Sequence, residues 1–154
     1  RPEVIELMKA VRDIDNNSVE LIIFGNVSSS LIKEFNRLLE CEKIKYIGWL
    51  NTHDTYDILA CSDLAIYPGL HSVLWEQTVS LGIPCIFRDI NGYHHVDLGG
   101  NCVFIKEPTE ELLKDAVLSL LKDSLAYKMM KTSAVKYGGL HFSYKQIAKR
   151  SLGI

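Results

Sequence analysis

Short apolar segments alternate with amphipathic segments along this chain, and glycine-rich or polar turns separate them. Apolar runs with β-branched residues, such as 19–24 and 83–87, are typical of strands covered on both faces. Segments with apolar positions three and four residues apart, such as 2–15 and 109–121, predict helices. The pattern predicts strands at 19–24, 44–47, 63–67, 83–87 and 102–105, and helices at 2–15, 31–40, 53–61, 72–81, 109–121, 124–137 and 143–151.

The alternation of strands and helices predicts the fold class. Parallel strands joined by helical crossovers are the economical arrangement, so we expect an α/β, Rossmann-like sheet with helices on both faces. The 154 residues suit one domain, 1–154, with a full core. A doubly wound sheet usually starts with a strand, whereas this chain opens in a helix at Arg1-Pro2. We therefore expect a fragment that lacks the first strand and comes from the second half of a two-domain protein.

The segment from Tyr67 to Phe87 carries the strongest functional signal. Pro68-Gly69 breaks a strand, Ser72 is a candidate N-cap, and Gly82 ends the helix that follows. A short loop that leads into a helix at the carboxyl end of a parallel strand is where α/β sheets bind anions. The prediction is that Gly69, Ser72 and the free N–H groups near Val73 bind a diphosphate, with an ordinary helix cap as the alternative.

Composition excludes several classes of function. The net charge is −2 without a Lys/Arg run, which argues against a nucleic-acid-binding face. No apolar run approaches the length of a membrane span, and the N-terminus is not a signal peptide. The four cysteines are dispersed, which favours reduced thiols in a cytoplasmic protein.

The remaining candidate residues follow other predicted strands. Gly25 and Asn26 end the first strand. A glycine backbone without a side chain would let a ligand approach closely there, and a plain strand-to-helix turn is the alternative interpretation. His71 fits a hydrogen-bond donor to phosphate or sugar. His94 and His95 are adjacent and no H-x-x-x-H pair occurs, so we predict no metal site. Neither a Ser-His-Asp order nor a G-x-S-x-G motif occurs, and there is no Walker A sequence.

Four stretches together resemble a known family. Residues 21–25 match a strand that ends in a glycine turn, and residues 46–50 with 61–68 are similar to "F-x-G-x … D-hydrophobic … P". Residues 76–86 are similar to "E-A-x-A-x-G-x-P-V-V", and residues 99–105 to "G-x-N-G-x-L-V". In this order they resemble the C-terminal, nucleotide-sugar-binding domain of GT-B glycosyltransferases of the retaining glycosyltransferase 4 type.

The resemblance implies a function and roles for several residues. The whole enzyme would transfer a sugar from a nucleotide diphosphate sugar to an acceptor, with retention of configuration and no bound cofactor or metal. The loop at Leu50 would meet the nucleobase, and Glu76, or Gln77 as the runner-up, would accept hydrogen bonds from the ribose hydroxyls. The loop that carries His95 would lie near the cleft. Bacterial polysaccharide or glycan synthesis is the expected setting.

The match also departs from the family pattern. The family usually has two glutamates separated by seven residues. When Gly82 is aligned with the family glycine, the position of the second glutamate is occupied by Gln77 and that of the first by Gly69. The catalytic residue is therefore not predicted. The resemblance further implies a missing N-terminal acceptor domain, an inactive isolated fragment, and peripheral membrane association as an option for the full-length enzyme. A sugar-nucleotide epimerase-like enzyme and a non-catalytic interaction domain of the same fold stay open as alternatives.

Overall fold

The computed structural model describes residues 1–153 and contains five strands and seven helices in that range. The strands are β1 (Leu21–Ile23), β2 (Ile44–Tyr46), β3 (Ala65–Tyr67), β4 (Cys85–Arg88) and β5 (Cys102–Ile105). The helices are α1 (Pro2–Arg12), α2 (Ile32–Leu38), α3 (Thr52–Ala60), α4 (Leu74–Ser80), α5 (Glu110–Lys122), α6 (Ser124–Phe142) and α7 (Tyr144–Leu152). A short 3₁₀ turn, His94–Val96, interrupts the loop between β4 and β5.

All strand pairs are parallel, and they form two separate ladders. β1 pairs with β2 in the register Leu21↔Ile44, whereas β4 pairs with β3 on one side and with β5 on the other. Within residues 1–153 no ladder hydrogen bonds join β1 to β3, so the single five-stranded sheet expected from the sequence is divided. Both ladders nevertheless contribute side chains to one hydrophobic cluster beneath α1.

Side chains alternate along β4 between two hydrophobic clusters. Ile86 joins the cluster formed with α1 and α5, while Cys85 and Phe87 join the cluster formed with α4. Because successive strand residues point to opposite faces, this division shows that helices cover both faces of the sheet. The predicted α/β fold with helices on both faces is confirmed.

The sequence also favours Thr52 as the cap of α3, Thr109 as the start of α5 and the serines at 28–30 as the cap of α2, and only the second of these holds. Asn51, not Thr52, caps α3, since its side chain accepts a hydrogen bond from the Asp54 N–H. Thr109 caps α5 as the sequence indicates, accepting from the Leu112 N–H. The serines before α2 do not cap it, because Ser28 and Ser30 bond to each other.

The two adjacent glycines Gly138 and Gly139 do not end α6, contrary to the prediction. The helix continues through both of them to Phe142. A Cβ on Gly138 would lie 1.9 Å from the Val79 carbonyl oxygen, so the missing side chain allows α6 to pack directly on α4. Close helix contact therefore explains this glycine better than helix termination does.

Across residues 1–153, no helix combines the length and the apolar character needed to cross a bilayer.

Candidate functional site

The predicted site residues all follow the carboxyl ends of parallel strands. Gly25 and Asn26 follow β1, Leu50 follows β2, residues 69–77 follow β3, and His95 follows β4. Since parallel strands end at the same edge of a ladder, the segments after β1 and β2 share one carboxyl edge and those after β3 and β4 share the other. The carboxyl edge is where open α/β sheets bind ligands.

The turns after β1 and β2 are joined by hydrogen bonds. The Gly25 N–H donates to the Gly48 carbonyl at 2.7 Å, and the Tyr46 hydroxyl donates to the Gly25 carbonyl, also at 2.7 Å. Gly25 has a φ of 106°, which favours glycine. Asn26 is exposed and Leu50 is half-buried, so this turn forms an open, backbone-lined part of the edge.

The turn after β3 differs from the prediction at Ser72. Helix α4 begins at Leu74 with Val73 as its N-cap residue, and no side chain caps it. The Ser72 carbonyl accepts from the Trp75 N–H, but the Ser72 hydroxyl caps nothing. The prediction of Ser72 as N-cap is therefore wrong, because the N-cap position lies one residue later, at Val73. Since α4 has only seven residues, its dipole contributes little to anion binding.

A cation that the sequence analysis missed covers this turn. The Arg1 guanidinium donates to the Leu70 carbonyl at 2.6 Å, and the Arg1 side chain lies against Gly69, where a Cβ would be 2.8 Å away. On the same side, Arg88 pairs with Glu3 of α1 at 2.9 Å. Only the tertiary fold brings Arg1 to Gly69, and no sequence motif reveals it.

Glu76 lies at the centre of the side chains after β3 and β4. Its Oε1 atom lies 2.8 Å from Nε2 of His71 and 2.8 Å from Nε2 of His95. Its Oε2 atom is buried without a hydrogen-bond partner in the described chain. Burial opposes ionisation, but the hydrogen bonds from His71 and His95 outweigh it and hold the pKa of Glu76 below its usual value.

Gln77 points away from this group. Its amide nitrogen donates to the Tyr144 hydroxyl of α7 at 3.0 Å, and that hydroxyl also lies 3.0 Å from the Tyr56 hydroxyl of α3. Partial burial and the bond to Tyr144 raise the pKa of Tyr56 to about 12, whereas the hydrogen bonds from Tyr56 and Gln77 lower the pKa of Tyr144. Consecutive residues of one helix thus reach different surroundings.

Buried aromatic residues fix the position of α4. Trp75 is fully buried and stacks on Phe87 of β4, with ring centroids 4.2 Å apart. The Tyr67 hydroxyl bonds to Thr78 Oγ1 at 2.6 Å, and burial raises the pKa of Tyr67. Glu76 therefore stands between two anchored residues of the same helix, which fixes its backbone at the edge of the sheet.

The structure changes the sequence argument about metal ligands. His71, Glu76 and His95 bring three ligand-type atoms within 4.8 Å of one another, although the spacing of the histidines predicted no such group. The N···O separations of 2.8 Å are those of charge-assisted hydrogen bonds, which account for both contacts without an ion. His94 does not join the group; it bonds to Asp89 at 2.7 Å.

An apolar groove lies apart from the candidate site. This groove of about 290 Å³ lies between α5 and α6, and is lined by residues such as Leu64, Val117 and Tyr127. Its lining is mostly apolar, and none of the predicted site residues contributes to it.

Comparison with known proteins identifies the family. Residues 2–137 match the family model described as glycosyl transferases group 1, which covers well over half of the chain. The chain belongs to the glycosyl transferases group 1 family. The resemblance noted in the sequence is thus confirmed. A search of curated proteins found no match.

Solved structures support the same fold for this group 1 domain. It is similar to a putative UDP-N-acetylglucosamine 2-epimerase from Listeria monocytogenes, with a TM-score of 0.78 at 20% identity, covering 98% of this chain and 41% of that one. It is also similar to sucrose-phosphate synthase from Thermosynechococcus elongatus, with a TM-score of 0.79 at 12% identity, covering 99% and 41%. Anabaena HepE in complex with UDP-glucose is similar as well, with a TM-score of 0.73 at 16% identity, covering 97% of this chain and 44% of that one. The chain thus spans less than half the length of each.

Proposed function

We propose that this domain binds the nucleotide diphosphate sugar of a glycosyltransferase and presents it to an acceptor held by a second domain. The observation that carries the proposal is the common position of the candidate residues at the carboxyl edge of parallel strands in a group 1 domain. HepE, a neighbour by fold, has been solved with UDP and with UDP-glucose. Glycan synthesis in a bacterial cytoplasm, with retention of configuration and without a bound cofactor, belongs to the same proposal.

The diphosphate is assigned to the turn after β3. Backbone N–H groups from Gly69 to Val73 and the nearby Arg1 guanidinium offer hydrogen-bond donors and positive charge. When the bond between the sugar and the diphosphate breaks, negative charge grows on the leaving phosphate oxygens. Donors already fixed in place stabilise that charge more than they stabilise the intact donor, which lowers the barrier.

The ribose is assigned to Gln77 rather than to Glu76. Glu76 already accepts two hydrogen bonds through Oε1, and its Oε2 is buried. Gln77 is half-buried, and its amide donates to Tyr144, which leaves its carbonyl oxygen able to accept from a hydroxyl. The nucleobase is assigned to the turns at Gly25, Asn26 and Leu50.

An NMR titration with UDP tests the donor-binding proposal. We expect amide shifts to cluster at Gly25, at residues 48–51 and at residues 69–77. Gln77→Ala should weaken binding more than Lys122→Ala, a control substitution of an exposed residue at the end of α5, away from this edge. The absence of amide shifts with UDP, or shifts confined to the groove between α5 and α6, would contradict donor binding at this edge.

A second domain and one additional strand complete the proposed enzyme. β1 and β3 end separate ladders yet share the cluster beneath α1, as they would if one parallel strand lay between them. In the Rossmann strand order 3-2-1-4-5-6, the strand at that place is the first. The N-terminal acceptor domain, and peripheral membrane association of the full-length enzyme, are further parts of the proposal. We expect that this domain alone does not catalyse sugar transfer.

The fold similarity to the Listeria epimerase supports a second candidate, an enzyme that epimerises a sugar nucleotide. The two candidates differ in their need for an acceptor. Full-length protein that changes UDP-N-acetylglucosamine without an acceptor would favour epimerisation, whereas sugar transfer only in the presence of an acceptor favours the glycosyltransferase. A full-length protein that binds no nucleotide would instead indicate an interaction domain of the same fold.

A further inference from the structure

The group formed by His71, Glu76 and His95 fixes where the hydrogen atoms of two imidazole rings lie. Both Nε2 atoms contact one carboxylate oxygen at 2.8 Å. The pKa of Glu76 lies below its usual value, so the carboxylate is ionised near pH 7 and can only accept hydrogen bonds. Each histidine must therefore donate from Nε2–H.

This arrangement determines what the other ring nitrogen can do. In the neutral form of an imidazole only one nitrogen carries hydrogen, so in that form Nδ1 of His71 and of His95 carries a lone pair. Within residues 1–153 neither Nδ1 atom makes a hydrogen bond to the protein. The side chains are 26% and 45% exposed, so a ligand can reach both rings from the edge of the sheet.

Aromatic neighbours hold the two rings in place. His71 packs on Tyr93 with centroids 4.3 Å apart, and it meets Trp75 edge-on at 5.2 Å. His95 contacts Phe142 of α6 edge-on at 6.0 Å. The two rings belong to different segments, so the carboxylate of Glu76 joins the turn after β3 to the 3₁₀ turn after β4.

We propose that Glu76 is a positioning residue that holds His71 and His95 as hydrogen-bond acceptors for hydroxyl groups of the donor sugar. A fully ionised diphosphate offers only acceptor atoms, so neutral rings in this tautomer cannot bond to it through Nδ1. Sugar hydroxyls can donate to such nitrogen atoms. The assignment rests on the proposed donor-binding function and reverses the sequence-based expectation that His71 donates to phosphate or sugar.

Two-bond ¹H–¹⁵N spectra of histidine-labelled protein report the tautomer of each ring directly. The spectra are recorded at a pH above the usual histidine titration range, where neutral rings predominate. We expect the Nε2–H form for both His71 and His95. Glu76→Ala should release both rings to a mixture of tautomers, while Glu76→Gln, which keeps an accepting oxygen, should retain more of the Nε2–H form.

His94 provides a matched internal control, because its Nε2 contacts Asp89 at 2.7 Å in the same loop. Asp89→Ala should alter the signal of His94 alone, and Glu76→Ala should leave His94 unchanged. Backbone spectra of the Glu76 variants show whether each remains folded. The Nδ1–H form in unmodified protein, or Nε2 atoms that coordinate a metal ion and carry no hydrogen, would overturn the proposal.

Titration of the same labelled protein with two probes separates the inference from the proposed function. UDP-glucose should shift the Nδ1 signals of His71 and His95, and inorganic diphosphate should not. If UDP-glucose shifts the amides of residues 48–51 but neither Nδ1 signal, the hydroxyl assignment is wrong while donor binding holds. If UDP-glucose shifts no signal, the donor-binding function itself is wrong and this assignment falls with it.

Discussion

Replacing Gly138 with alanine should destabilise the protein, whereas the same change at the next residue should not. A Cβ at Gly138 would lie 1.9 Å from the Val79 carbonyl oxygen and 3.0 Å from the Val79 carbonyl carbon. These atoms belong to the backbone of α4, so relief of the clash requires the two helices to separate. At Gly139 the nearest atom, the Ser80 carbonyl oxygen, would be 3.6 Å away, an ordinary contact.

The expected free energies of unfolding follow from these distances. Alanine stabilises a helix interior by about 1 kcal/mol relative to glycine, which should appear almost fully at Gly139. Overpacking costs about 1–3 kcal/mol, and the 1.9 Å approach to a backbone oxygen puts Gly138 at the upper end, so Gly138→Ala should lose about 2 kcal/mol once the helix gain is subtracted. For a domain of this size, 1 kcal/mol corresponds to roughly 2–4 °C in Tm.

Urea denaturation followed by circular dichroism measures both variants against the unmodified protein. Gly138→Ala should have the lower midpoint and Gly139→Ala the higher one, with similar slopes. Equal stability of the two variants would show that α6 does not pack on α4 as described, and with it the position of Glu76 would be in doubt.

Three further predictions concern other parts of the molecule. Cys61 is exposed and should react with a thiol reagent in the folded protein, whereas Cys85 should not, because burial raises the pKa of its thiol; rapid labelling of Cys85 would contradict the packing of β4. Asn51→Ala should lower the free energy of unfolding by about 1 kcal/mol, because α3 loses its N-cap, and Thr52→Ala should lower it much less. The denaturation midpoints of the two variants test this difference. The pKa of Glu76 is lowered in the folded state, so its contribution to stability is complete above the unfolded-state pKa and is lost as the pH falls through the folded-state value. Unfolding free energies of the unmodified protein and Glu76→Gln should therefore converge in acid, and a constant difference from neutral pH into acid would argue against the ionised carboxylate.

The order of the elements could be predicted from the sequence because it depends on local pattern. β5 matches its predicted bounds, Cys102–Ile105, and the other strands lie within or one residue beyond theirs. Helix ends were less predictable wherever two candidate caps are adjacent, as Asn51 and Thr52 are. At Gly138 the tertiary contact with α4 overrides the local tendency of glycine to end a helix.

The candidate site could be predicted only in part. The edge of the sheet follows from strand ends, so Gly25 and the turn after β3 could be assigned to it, and the family resemblance added Leu50. Residues 71 and 95 come together through tertiary structure, and spacing along one helix cannot reveal such a pair. The same limit applies to Arg1, which reaches Gly69 across the fold.

A crystal structure of the protein with UDP would show whether the nucleotide binds at the carboxyl ends of the strands. We expect diphosphate oxygens within hydrogen-bond distance of the backbone between Gly69 and Val73, with the Arg1 guanidinium beside them. We also expect ribose hydroxyls at Gln77. A nucleotide bound away from the carboxyl ends of the strands, or a diphosphate that contacts none of these groups, would contradict these expectations.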